Sequence, residues 1–181
     1  MHEAIAGADA VVSLLHDRVD DAFLAAAGPS LQVVANVAVG YDNMDVAACH
    51  ERGVIATNTP GVLTEATADI AFSLILMATR RLGEAERLVR NGTPWRFNMF
   101  FHLGTGIQGK TLGIVGLGQI GTATARRGRA FGMEIAYAGR RGADRALERE
   151  LGAHRLELDE LFATSDVVSL HCPLTPETRH L

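Results

Sequence analysis

The sequence has little cysteine and no arrangement of cysteine and histidine that would hold a metal. Of its 181 residues only two are cysteine, Cys49 and Cys172, and they lie far apart. Neither belongs to a C-x-x-C motif or to a cluster with metal-ligand spacing, so we expect neither a bound metal nor a disulfide framework. This usage of cysteine is typical of a protein in a reducing compartment.

The sequence also lacks an excess of positive charge and a long hydrophobic run. It has 17 lysine and arginine residues against 21 aspartate and glutamate residues, a net charge of -4, so no broad basic field is present to attract nucleic acid. The longest strongly apolar run, residues 70–78, contains Ser73 and is well short of the roughly 20 residues of a membrane span. The first residues lack the pattern of a signal peptide. We therefore expect a soluble, cytoplasmic protein that binds neither nucleic acid nor membrane.

Short β-branched runs alternate with longer helical patterns along most of the chain. In the first part these patterns predict, in order, strand 10–15, helix 20–27, strand 31–37, helix 44–52 and strand 54–56. From Lys110 onward they predict strand 111–115, helix 119–131, strand 134–138, helix 143–151, helix 159–163 and strand 166–171. Alternation of this kind is typical of α/β proteins in which helices cover a parallel sheet.

A long helical stretch, residues 64–90, separates the two parts. It is apolar on nearly every side between residues 66 and 78, which predicts that this half of the helix is buried. The connector 92–109 follows, and its aromatic residues are Trp95, Phe97, Phe100 and Phe101. We expect these side chains to anchor the connector as a loop.

The segment after strand 111–115 matches the pattern G-x-G-x-x-G with Gly116, Gly118 and Gly121. The first glycine permits a tight turn, the second lets the main chain approach a pyrophosphate, and the third lets helix and strand pack closely. The pyrophosphate would meet the free N–H groups at the start of the helix. The strand before the motif and the helix after it favour this interpretation over a glycine-rich turn that serves compactness alone.

The end of the next strand bears on the choice of cofactor. NAD-binding units usually have an aspartate or glutamate about 20 residues after the glycines, which accepts hydrogen bonds from the ribose hydroxyls. Here the position is Gly139, followed by Arg140 and Arg141. Without the carboxylate, two guanidinium groups favour a 2′-phosphate, so we predict NADP (NADPH) as the favoured cofactor and NAD as the alternative. The other interpretation is that both arginines are solvated loop residues.

Four segments together resemble the D-isomer-specific 2-hydroxyacid dehydrogenases, and in particular the glyoxylate/hydroxypyruvate reductase branch. They are residues 35–43, 58–69, 109–121 and 171–178, in the order in which the family has them. The resemblance implies a Rossmann-type doubly wound parallel sheet, here truncated, plus part of a flavodoxin-like α/β substrate domain. It assigns residues 1–59 to the substrate-binding (catalytic) domain and residues 60–181, with helix 64–90, to the NAD(P)-binding domain.

The resemblance implies an oxidoreductase that transfers a hydride between NAD(P)H and a small 2-keto or 2-hydroxy acid such as glyoxylate or hydroxypyruvate. The main-chain N–H groups of Val39 and Gly40 would hold the substrate carboxylate, and the alternative for this segment is a strand-ending turn. The implied cofactor contacts are Gly116, Gly118, Gln119, Ile120, Gly121, Arg140, Arg141, Cys172 and Pro173. Pro173 also has a structural interpretation, as a strand terminator without an N–H donor.

The resemblance implies no catalytic residue in this chain. In the family an arginine orients the keto acid, a histidine protonates the carbonyl oxygen and a glutamate supports that histidine. All three follow Leu181 in the family pattern, and His171 and His180 lie in motifs where the family does not have its acid. We therefore expect a fragment, truncated at both ends, that is inactive alone.

The helix after Thr64 packs against a partner subunit in this family, which implies a homodimer. The alternative function is a cofactor-sensing, dimerising interaction module that acts as a corepressor. Altered catalytic residues would distinguish such a module from an enzyme, and the resemblance assigns those residues to a region outside this chain.

Overall fold

The computed structural model describes residues 2–94 and 98–181, which form two compact units. The second unit is Thr64–Cys172, and the first combines the residues up to Leu63 with Pro173–Leu181. The assignment of residues 1–59 and 60–181 to two domains stays a prediction about the intact protein.

The first unit is a three-stranded parallel sheet with helices. Its elements are α1 (His2–Ile5), β1 (Ala10–Ser13), α2 (Asp21–Ala27), β2 (Val33–Asn36), α3 (Val46–Glu51) and β3 (Ile55–Thr57), and the strand order is β1-β2-β3. Two aspartates begin helices, because the Asp20 carboxylate accepts from the Phe23 N–H at 3.1 Å and the Asp45 carboxylate from the Ala48 N–H at 2.9 Å. The predicted alternation is confirmed, and helix α1 was not predicted.

The second unit is a four-stranded parallel sheet in the order β6-β5-β4-β7. Its strands are β4 (Thr111–Val115), β5 (Glu134–Ala138), β6 (His154–Arg155) and β7 (Val167–Leu170), and its helices are α4 (Thr64–Thr79), α5 (Leu82–Arg90), α6 (Gln119–Ala130), α7 (Arg145–Leu151) and α8 (Leu158–Thr164). Strands β4, β5 and β6 follow one another towards one edge of the sheet, and the chain then returns to add β7 on the other side of β4. The crossing point of the sheet is therefore the gap between the neighbouring strands β4 and β7. In doubly wound sheets such a crossing point, at the carboxyl ends of the strands, is where ligands bind. The predicted fold class is confirmed.

The predicted helix 64–90 is wrong at its middle, where the chain breaks between α4 and α5. Arg81 has a left-handed φ of 55°. The break leaves the Thr79 carbonyl free to accept a hydrogen bond from the Thr105 N–H at 2.7 Å. A side chain at Gly104 would lie 2.8 Å from the Arg80 Cα, so only glycine lets the returning segment come this close.

The predicted burial of α4 on all sides is also wrong for this chain. Helix α4 buries Ala68, Phe72 and Ile75, and the Phe72 ring packs on Phe131 with centroids 4.8 Å apart. Its opposite face exposes a row of apolar side chains at helical spacing: Ile70, Leu74 and Met77. One side of the helix therefore belongs to the core of the second unit, and the other side is uncovered.

The two aromatic residues of the connector that the structure describes do not anchor it in the way the sequence predicts. Phe100 and Phe101 are exposed, whereas Ile107 is buried in the core of the second unit. Trp95 and Phe97 lie outside the described residues. Across residues 2–94 and 98–181, no helix is long and apolar enough to cross a membrane, and no group of three or more His, Cys, Asp or Glu side chains could hold a metal ion.

Asp166 joins the starts of β7 and β4. Its carboxylate accepts from Lys110 Nζ at 2.7 Å and from the Thr111 N–H at 2.9 Å. The hydrogen bond from Lys110, followed by the one from Thr111, lowers the pKa of Asp166. A carboxyl whose pKa is lowered by folding stabilises the fold above its unfolded pKa of about 3.9, and this contribution is lost as pH falls through the folded pKa.

We therefore expect Asp166→Asn to lower the melting temperature at pH 7 and to flatten its fall below about pH 4. Thermal unfolding followed by circular dichroism between pH 7 and low pH measures both effects. Asp9→Asn is the control, because the described residues offer the Asp9 carboxylate no partner. Equal behaviour of the two variants would contradict a stabilising role for Asp166.

Candidate functional site

The glycine-rich loop connects β4 to α6 at the crossing point of the second sheet. Gly116 has a φ of 97°, and a Cβ there would lie 2.8 Å from the Cys172 nitrogen, at the end of β7. A Cβ at Gly121 would overlap the Gly116 carbonyl oxygen. Both contacts are with main chain, which cannot move aside, so both positions require glycine.

Gly118 differs from the other two glycines, because no atom lies within 4 Å of the position that its Cβ would take. It is the N-cap of α6, and no side chain caps this helix. The N–H groups of the first helical turn, which begins with Gln119 and Ile120, have no acceptor inside the helix. Open space, free donors and the positive end of a 12-residue helix together suit a diphosphate.

The side chain of Gln119 is oriented by the start of α4. The Thr64 hydroxyl donates to Gln119 Oε1 at 3.2 Å, which leaves the amide hydrogens of Gln119 available beside the loop. Two ion pairs hold the same helices together, since Arg127 on α6 contacts Glu65 and Asp69 on α4. The sequence predicted Gln119 as a contact but did not predict Thr64 as its support.

The segment after β5 places two arginines in solvent. Arg140 and Arg141 are exposed, and neither guanidinium has a partner among the described residues. Asp144, the nearest acid downstream in the chain, caps α7 by accepting from the Ala146 N–H at 2.9 Å. Its carboxylate therefore serves as the N-cap of that helix.

Tyr137 holds the end of the arginine segment, residues 139–142, through a hydrogen bond to the residue that follows it. Its ring is buried, and its hydroxyl accepts from the Ala143 N–H at 2.8 Å while donating to Glu148 Oε1 at 2.6 Å. Burial and, to a smaller extent, the hydrogen bond to Glu148 raise the pKa of Tyr137, so the hydroxyl keeps its proton and can make both bonds. The arginine segment is therefore attached at both ends, by strand β5 before it and by the hydrogen bond of Ala143 after it.

The end of β7 lies against the glycine loop. His171 is half-buried, its ring Nε2 lies 2.9 Å from Ser169 Oγ, and burial lowers its pKa. This is the environment of a neutral histidine with a local partner. Cys172 is half-buried beside Gly116, whereas Pro173 is exposed and clusters with the first unit.

In the first unit, the segment after β2 leaves two main-chain donors unused. The Val39 carbonyl accepts from Asn58 Nδ2 at 2.9 Å, and the Gly40 carbonyl accepts from Asn36 Nδ2 at 3.1 Å. Neither the Val39 N–H nor the Gly40 N–H donates to an acceptor among the described residues. With both carbonyls occupied, the polar groups still available are donors, which suits a carboxylate.

Buried asparagine is the feature of this segment that sequence analysis missed. Asn36 is 1% exposed and bonds Ser13 Oγ through its own Oδ1, while Asn43 donates to the Leu14 and Asp17 carbonyls. These side chains shape the segment that carries Val39 and Gly40. The available signal was an asparagine at the end of an otherwise apolar strand, because a buried amide needs partners.

The contrast between two glycines of the loop tests the candidate site. We expect Gly121→Ala to destabilise the fold by about 1–3 kcal/mol, because its methyl meets the Gly116 carbonyl. Gly118→Ala should leave unfolding unchanged, since its extended backbone and open surroundings accept a methyl, but should weaken dinucleotide binding about tenfold or more. Thermal unfolding and calorimetric titration measure the two effects, and unchanged binding by Gly118→Ala would contradict the assignment.

Comparison with known proteins shows the family to which the chain with the glycine loop and the Val39–Gly40 segment belongs. The sequence profile of the family described as D-isomer specific 2-hydroxyacid dehydrogenase, NAD binding domain, matches residues 72–181. The chain is 50% identical over 178 residues to a glyoxylate reductase of Aeropyrum pernix, covering 96% of this chain and 52% of that protein.

Solved structures agree in fold. The TT0316 protein from Thermus thermophilus superposes with a TM-score of 0.90 at 42% identity, covering 98% of this chain and 55% of that one. A D-lactate dehydrogenase from Aquifex aeolicus, solved with NAD and lactic acid, has a TM-score of 0.89 at 30% identity and covers 100% and 53% respectively. The chain thus spans about half the length of the relatives it matches. It belongs to the D-isomer specific 2-hydroxyacid dehydrogenase family, and the matched residues are those of the NAD-binding domain.

Proposed function

We propose that this chain supplies the dinucleotide site and the carboxylate-binding segment of an NAD(P)-dependent reductase for a small 2-keto acid of the glyoxylate or hydroxypyruvate type. The observation that carries the proposal is the loop of Gly116, Gly118 and Gly121 at the crossing point of the sheet, with Gly118 facing open space. Relatives named glyoxylate reductases support the substrate class. Because the chain spans about half of their length, the activity is proposed for the whole protein.

Each described site has a separate task in this proposal. The first turn of α6, with Gln119 and Ile120, binds the pyrophosphate, and Cys172 and Pro173 follow the nucleotide at the end of β7. The N–H groups of Val39 and Gly40 bind the carboxylate of the keto acid, which orients the carbonyl carbon. When bound, the nicotinamide cofactor supplies the hydride that this carbon receives.

The proposal includes a preference for NADPH over NADH. Arg140 and Arg141 are exposed and unpaired within the described part of the chain, and no carboxylate follows β5 directly. A 2′-phosphate would bind two guanidinium groups through charge-assisted hydrogen bonds and would meet no repelling acid. The Aquifex aeolicus relative is solved with NAD, so NADH is the competing cofactor in any test.

Parallel calorimetric titrations with NADPH and NADH test this assignment. We expect tighter binding of NADPH, and a loss of about tenfold or more in NADPH affinity when Arg140 and Arg141 are both changed to alanine. The NADH affinity of the double variant should stay near that of the unaltered protein. Preference for NADH would contradict the two-arginine argument, and binding of neither dinucleotide would contradict the proposed function.

The uncovered face of α4 is proposed as the contact with a second copy of the chain. Ile70 is 64% exposed, Leu74 58% and Met77 44%, and their spacing puts them on one side of the helix. A contiguous exposed apolar row is typical of a protein interface. The same contact is typical of the family that the sequence resembles.

Replacing this row with charge should therefore disrupt the homodimer. We expect Ile70→Glu combined with Leu74→Glu to convert the dimer to monomer in sedimentation velocity experiments, because two carboxylates would be buried in an apolar interface. Val89→Glu is the matched control, since Val89 is 80% exposed on a different helix, α5. A monomeric unaltered protein, or a double variant that remains dimeric, would contradict this assignment.

The exposed face of α4 also favours the second candidate function, a dimerising module that senses the cofactor and acts as a corepressor. Such a module requires that dinucleotide binding change the assembly state. Sedimentation of the unaltered protein with and without NADPH distinguishes the two candidates. Assembly that is constant across both conditions would leave the reductase as the function.

A further inference from the structure

A third arginine lies at the carboxyl end of β5. Arg155 is on β6, where it pairs in register with Tyr137 of β5. Its side chain runs along the sheet, and Nη2 donates to the Gly139 carbonyl at 2.8 Å. A Cβ at Gly142 would lie 3.9 Å from Arg155 Cδ, so the aliphatic part of this side chain lies beside Gly142.

This contact gives Arg155 a property that Arg140 and Arg141 lack. Those two guanidinium groups have no partner among the described residues, whereas Arg155 donates to a main-chain acceptor. An arginine has five N–H donors, and the bond to Gly139 uses one of them. No carboxylate in the described part of the chain pairs with Arg155, so its charge is uncompensated.

The contact also changes the electrostatics of the position where the ribose-binding acid would be. The Gly139 carbonyl is a hydrogen-bond acceptor, and an acceptor facing a phosphate would repel it. Because Arg155 donates to this carbonyl, the acceptor is occupied and a positive group lies beside it.

We propose that Arg155 is a specificity-determining residue of the cofactor site, where it binds the 2′-phosphate of NADPH together with Arg140 and Arg141. This inference rests on the proposed function and extends it to a residue on a different strand. Arg155 would be the preorganised member of the three, because its guanidinium already has a main-chain partner without the ligand. The sequence did not reveal it, since a two-residue strand has no recognisable pattern.

The test compares three variants by calorimetric titration with NADPH and with NADH. Arg155→Gln keeps an amide donor but removes the charge, and Arg155→Lys keeps the charge but loses the planar fork. Arg149→Gln is the matched control, because Arg149 is an exposed arginine in the last turn of α7 without a described partner. Thermal unfolding of every variant checks that the fold is retained.

We expect Arg155→Gln to lower the affinity for NADPH about tenfold and to change the affinity for NADH by less than about twofold. Arg155→Lys should keep most of the preference, and Arg149→Gln all of it. Unchanged affinities of Arg155→Gln for both cofactors would overturn the inference and leave the proposed function standing. Equal weakening of both cofactors would also overturn it, because that result indicates a structural role. A protein that binds neither dinucleotide would overturn the proposed function and the inference with it.

Discussion

The second unit depends on the direct approach of main chain to main chain at the end of β4. Helix α6 begins where it does because Gly121 lies against the Gly116 carbonyl, and Gly116 in turn lies against the end of β7. A methyl group at either position would separate the helix from the sheet. The close approach places the first turn of α6 at the crossing point of the sheet, so the positive end of the helix and the open space at Gly118 coincide. Packing and the proposed binding of an anion therefore have the same cause.

In both candidate sites, side chains of the protein donate hydrogen bonds to main-chain carbonyls, so that the polar groups left for a ligand are donors. In the first unit, asparagine side chains take the carbonyls of Val39 and Gly40, and the N–H groups of that segment are left over. After β5, Arg155 takes the carbonyl of Gly139 in the same way. A polar segment whose carbonyls are already bonded has only donors for a ligand, which favours an anion over a cation. Carboxylate and phosphate, the charged groups of the proposed substrate and cofactor, are both of this kind.

Much of the fold could be predicted from the sequence because its signals are local. β-branched runs and the glycine motif each act within a few residues, and the predicted α/β class and family are confirmed. Strand β4 and strand β5 match their predicted bounds, since in each of them a polar first residue is followed by four buried ones. The site residues named from the sequence remain predictions that the proposed titrations test.

Other features depend on contacts between distant segments. At the break after Thr79 the Thr105 N–H, far along the chain, takes the place of the helical donor, and this contact has no local sequence signal. Likewise, Arg155 is one arginine among many until the pairing of β6 with β5 brings it to Gly139. The sequence by itself determined the alternation of strands and helices, the glycine loop and the absence of an acid after β5, because these are properties of neighbouring residues. Only the tertiary structure decided which carbonyls are occupied and which charges meet, because hydrogen bonds between segments depend on register and packing.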